Sequence, residues 1–193
     1  DWSSDVCSSD LIAEMKQKGA VVMPNLGIAA NRADDSTAWM DDRLYKETTP
    51  EAVIARVRAS LANRTPQALA ASQKTYALMQ TNLRKLNAAG VTIVLGGDSG
   101  AVPDHFHAFT SHREMQLMGE AGMTAGQVLT AATATGADFL RQRERGTIEV
   151  GKSADLLVLD ANPLDGIANT RKIAKVYLQG QEINREKLRK GWN

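Results

Sequence analysis

The segment Val91-Thr92-Ile93-Val94-Leu95-Gly96-Gly97-Asp98-Ser99-Gly100 constrains this chain more than any other. The run VTIVL has no polar alternation and is too short for a helix, so it reads as a strand buried on both faces. A long helical pattern ends before it at Ala89-Gly90, and a second helix follows the loop. Helix, buried strand, helix is the rhythm of a parallel α/β sheet. In such sheets ligands and catalytic groups gather beyond the carboxyl ends of the strands. Asp98 stands there, on a glycine-flanked turn, and is the leading candidate for a functional residue. The plain alternative is that an Asp between Gly and Ser forms a turn or caps the next helix.

Composition narrows the function classes. With 193 residues, 43% hydrophobic and 23% charged, the chain suits one globular domain or parts of two. A net charge of +1 gives no general electrostatic case for nucleic acid or for an anionic membrane. Aromatic residues at 5% argue against a base-stacking surface. No apolar run approaches the ~18 residues of a membrane-spanning helix. These properties leave the localisation undetermined and a homo-oligomer open.

The front end is unusual. Residues 1–11, DWSSDVCSSDL, have no initiator Met, no basic region and no apolar region, so they are not a signal peptide. The string matches the translation of a common sequencing adapter. It is expected to be an artefact joined to a truncated gene, disordered and without packed contacts; the alternative is a polar N-terminal tail. Cys7, the single cysteine, lies inside it, so cysteine usage says nothing about redox compartment.

Further along, Leu11 to Lys18 reads as the end of a helix stopped by Gly19, and Ala20 to Met23 as a short buried strand ended by Pro24-Asn25. Residues 26–48 are mixed and polar and read as an insertion or flexible loop. Thr49-Pro50-Glu51 opens a helix to about Ala62, and Thr65-Pro66 opens another. In the latter, Leu69, Tyr76, Met79, Leu83 and Leu86 form an apolar stripe, read as core. After the loop 97–110 a helix runs through His112, Glu114, Leu117 and Met118. Thr124 and Gln127 form a capping box for one further helix, VLTAATATGADFL. From Gly146 the texture turns β-like: residues 146–152, a strand at 154–160, and a hairpin over Ile173–Ile183 turning at Gln179-Gly180. The tail EKLRKGWN reads as a short charged helix.

Taken together, AGVTIVLGGDSG (89–100), HREMQLMGEAGMTAGQVLTAATATGADFL (112–140) and GTIEVGKSADLLVLDANPL (146–164) resemble the metal-dependent amidohydrolases, especially their imidazolonepropionase-like and Xaa-Pro-dipeptidase-like branch. The resemblance implies an α/β fold: the last part of a (β/α)8 barrel over 12–145, then the C-terminal part of a small β-sandwich over 146–193. It also implies a small-molecule substrate and a divalent metal, zinc first, as one or two ions. Of the family's ligands only the Asp after the last barrel strand maps here, onto Asp98. The H-x-H pair, the Lys or Glu and the other His residues would lie upstream of Leu11.

His105-Phe106-His107 is not that H-x-H pair, since it follows the last strand instead of the first. His105 and His107 are substrate-loop candidates, with a surface loop as the alternative; His112 and Asp155 read as structural. The resemblance implies hydrolysis of a C–N bond (amide, cyclic amide or dipeptide-like) by metal-activated water, with Asp98 as metal ligand and general base. The flanking glycines would let the backbone approach the metal. The fragment alone is expected to be inactive. The competing reading is a non-catalytic interaction module derived from such an enzyme. A nucleotide-binding domain fares worse, because G-G-D-S-G lacks the G-x-G-x-x-G spacing.

Overall fold

The computed structural model describes residues 7–101 and 109–190. Helix α1 (Ser9–Gln17) starts where the Ser8 hydroxyl accepts from the Leu11 N–H at 3.3 Å. Residues 9–11 are therefore the first turn of a helix and not the structureless tail expected of that segment. A serine followed by helix-compatible residues is a sufficient N-cap. α1 buries none of its residues.

Strand β1 (Val21–Val22) and strand β2 (Thr92–Ile93) pair in parallel, Val21 opposite Thr92 and Val22 opposite Ile93. The Val94 N–H continues the ladder to the Val22 carbonyl at 3.0 Å. Val91, Ile93 and Val94 are buried, as the apolar run requires, while Thr92 is exposed. The strand is thus less completely covered than its composition suggests. Past it, the Leu95 N–H bonds to the Ala131 carbonyl, which ties the strand exit to a later helix.

The crossover between β1 and β2 is helical throughout. Residues 26–48 are not a flexible loop: they form α2 (Leu26–Ala33), a 3-10 turn (Ala38–Asp41) and α3 (Arg43–Thr48). Small residues on α2, Gly27, Ala30 and Ala33, are buried and allow close approach to its neighbours. α4 (Glu51–Ala62) follows, with Pro50 and not Thr49 at its N-cap; Thr49 is buried instead. α5 (Pro66–Ala88) begins as its sequence dictates, with the Thr65 hydroxyl accepting from Ala68 N–H at 3.1 Å and Pro66 in the first turn. Leu83 and Leu86 are buried and Tyr76 and Met79 half-buried against the main core, so this stripe is packing.

α6 (Phe109–Glu120) brings Met115, Leu117 and Met118 into the same core with Leu26, Ala30 and Ile93. The Thr124–Gln127 capping box opens α7 (Ala125–Ala132). The helix does not run on to Leu140: Thr133, at φ −125 and ψ −89, breaks it, and α8 (Ala134–Phe139) starts afresh. Thr133 turns its hydroxyl back to the Leu129 carbonyl at 2.7 Å, a local bond that competes with helix continuation.

A second, antiparallel sheet is built from β3 (Leu156–Leu159), β4 (Ile173–Leu178) and β5 (Gln181–Glu182), in that order. Gln179 and Gly180, at φ 51 and 81, make the expected tight turn. Asp155 pins it by accepting from the Gln179 N–H at 2.7 Å, and that bond first of all holds its carboxyl below the ordinary carboxylate range. Residues 146–152 form no strand. Ile148 is 88% exposed and Val150 wholly so, and among the described residues no strand pairs with them. α9 (Arg185–Lys190) ends the described chain. Among the described residues the sheets are this one and the parallel pair, an α/β arrangement.

Candidate functional site at the strand ends

Because β1 and β2 are parallel, their carboxyl ends lie on one side of the sheet, and two short turns meet there: Pro24-Asn25 and Gly96-Gly97-Asp98. A Cβ on Gly96 would overlap the Met23 thioether and lie 3.1 Å from Asn25 Oδ1. A Cβ on Gly97 would lie 2.9 Å from Thr110 Cγ2 in the first turn of α6. This close approach of the β1 exit and α6 is what requires the glycine pair in the fold.

The turn then presents Asp98 to solvent at φ 49, a left-handed conformation that Asp tolerates better than most side chains. The Ala101 N–H donates to the Asp98 carbonyl at 3.2 Å and closes the turn. Asn25 is also left-handed, at φ 49, and its Oδ1 is buried with no hydrogen-bond partner among the described residues. Such an atom costs about 1–3 kcal/mol. His105 and His107 lie outside the described residues.

The described residues do not by themselves complete a metal site. They contain no group of three His, Cys, Asp or Glu side chains close enough to hold an ion, and a catalytic zinc takes three protein ligands. Asp98 is a single carboxylate.

One charged group at this end escaped the sequence reading. Glu114 on α6 is 0% exposed, and its carboxylate accepts from Leu26 N–H at 2.7 Å and Gly27 N–H at 2.8 Å, the first amides of α2. Burial pushes its carboxyl up to about 7, against the opposite pull of the two amides and of Arg113. A signal existed in the sequence: Thr110, Leu117 and Met118 stand four before, three after and four after it, so Glu114 falls on the core face of α6. His112, on the same helix, has Nδ1 3.0 Å from Thr170 Oγ1 and is held below its ordinary value mainly by burial, with Arg171 adding to the effect. It joins α6 to the 3-10 turn Ile167–Arg171, a structural part as expected.

Comparison with known proteins fits this arrangement. The amidohydrolase family profile matches residues 4–183, and the chain belongs to that family. A search of curated protein sequences gives no match. Among solved structures, a Xaa-Pro dipeptidase shares 21% identity over 93% of this chain and 38% of its own, with a TM-score of 0.65. A molinate hydrolase shares 25% over 94% of this chain and 36% of its own, TM-score 0.60. A Bifidobacterium longum protein assigned as a prolidase shares 28% over 94% and 41%, TM-score 0.66. The chain thus spans about two fifths of the length of these structures.

Proposed function

We propose that this chain is the C-terminal portion of a hydrolase that cleaves a C–N bond in a small amide, cyclic amide or dipeptide-like substrate. The observation that carries the reading is Asp98: a solvent-facing carboxylate at the carboxyl end of β2, on a turn fixed by Gly96 and Gly97, in a chain of the amidohydrolase family. The dipeptidase and molinate hydrolase among its structural relatives favour the same bond class. Asp98 accepts the proton of the attacking water and passes it to the departing nitrogen. It is also the residue of this chain that would meet a divalent ion, zinc by expectation, whose remaining ligands are not among the described residues.

In a longer enzyme carrying this segment, Asp98→Asn keeps the shape and removes the base. Turnover should drop by at least the ~100-fold typical of general-base loss, with the melting temperature of the metal-free protein little changed. Near-normal turnover of that variant would sink the assignment. A second reading is a non-catalytic interaction module derived from such an enzyme. It predicts that the longer chain is inert even before substitution.

A further inference from the structure

A carboxylate with no exposure is expensive to keep on a helix face that could have carried an apolar residue. Two backbone donors from a distant element keep Glu114 there. Leu26 and Gly27, 88 and 87 residues away, offer the first N–H groups of α2, the donors that every helix start leaves unpaired. The local candidate for that task declines it, since the Asn25 side chain caps nothing.

The two elements so joined are also those that grip the glycine pair. Met23 and Asn25, immediately before the capped amides, fill the space in which Gly96 would carry a Cβ. Thr110, one helical turn before Glu114 on α6, fills that of Gly97. We propose that Glu114 is a positioning residue for Asp98: by tying α6 to the start of α2 it closes the clamp in which Gly96 and Gly97 hold the Asp98 turn. The functional meaning of that clamp rests on the assignment of Asp98 above; the clamp itself does not.

Protonation supplies the means of seeing it. A carboxylate has two acceptor oxygens for two amides; a carboxylic acid turns one of them into a donor. Either Leu26 or Gly27 then loses a full acceptor, and the β1 exit relaxes against the turn. Glu114 titrates at about 7. The side chains whose fields reach it are Arg113 on α6 and Tyr76 on α5, and the Tyr76 hydroxyl, raised mainly by burial, loses its proton only at about 12. Neither changes charge near neutrality.

The test follows backbone amide NMR signals of the 193-residue chain from about pH 5 to about pH 9, the span over which such a group completes its titration. Leu26, Gly27, Gly96 and Gly97 should shift together, with one midpoint at about 7. Glu114→Gln should abolish that common titration, and Asp98→Asn should leave it in place. Shifts confined to Leu26 and Gly27 would overturn the proposal, because the clamp would not reach the turn. So would a titration that vanishes in Asp98→Asn. The wild-type curves decide by themselves if Glu114→Gln does not fold. Retained turnover in Asp98→Asn would overturn the functional reading and leave these curves untouched.

Discussion

Glu114 is protonated more readily in the folded chain than in the unfolded one, where its ordinary value is 4.5. Between there and about 7 the fold holds a proton that the unfolded chain has released. Linkage then makes stability fall as pH rises through that window, by roughly 3 kcal/mol in total at ~1.4 kcal/mol per pH unit. The acid form gives up a local bond yet spares the fold a buried charge, so global stability and local order move in opposite directions. His112 works the other way: its value in the fold lies below 6.5, and it costs stability as pH drops beneath that point. Subtracting the urea-unfolding stability of Glu114→Gln from that of the wild type cancels the histidine. The difference should decline from pH 5 to pH 7 and then level off; a flat difference would mean that Glu114 is not driven up by burial.

At the scale of elements, the helical crossover is held by an aromatic cluster. Trp39 meets Tyr45 edge-on with ring centroids 5.1 Å apart, and Phe109 of α6 lies 5.0 Å from Tyr45 and 6.1 Å from Trp39. The Arg171 guanidinium sits 5.7 Å from the Phe109 centroid and pairs with Asp42 at 3.2 Å. One ring thus joins the crossover, α6 and the 3-10 turn before β4. Phe109→Ala should cost about 3–5 kcal/mol in urea unfolding, the range for emptying a buried aromatic site; a loss under about 1 kcal/mol would show that the cluster is not packed.

This cluster also explains what could be read in advance. Local signals with a self-contained mechanism were legible: Thr65-Pro66 at the start of α5, the Thr124–Gln127 box, the Gln179-Gly180 turn, and a strand within VTIVL, though not its burial on both faces. Residues 26–48 were not, because α2 and α3 acquire their order from partners far along the chain, Leu83 and Phe109 among them. The site divides the same way. Asp98 was visible because glycines isolate it, whereas Glu114 looks like an ordinary helix acid until Leu26 and Gly27 are brought to it. Residues 146–152 had strand-like composition but no strand to pair with among the described residues.

At the scale of the molecule, the described residues form two parallel strands and one three-stranded sheet, with large apolar side chains such as Ile148, Leu157 and Leu178 facing solvent. Among the described residues no three His, Cys, Asp or Glu side chains gather, and one carboxylate on an exposed turn, Asp98, competes poorly with water for a divalent ion. His105 and His107 follow it in sequence, so the chain does contain an acid and two imidazoles within ten residues. The order of motifs argues against a shared ion site, because a His-x-His pair placed after Asp98 has no counterpart in the ligand set that the family resemblance implies. Zinc titrated calorimetrically into the 193-residue chain should therefore give weak, unsaturated heats, unchanged in Asp98→Asn. Tight one-to-one binding that disappears both in Asp98→Asn and in His105→Ala would reverse this. It would mean that this chain assembles an ion site from Asp98 beyond β2 and the histidines that follow it in sequence, and Asp98 would then have to be understood as one ligand of three instead of as a lone carboxylate.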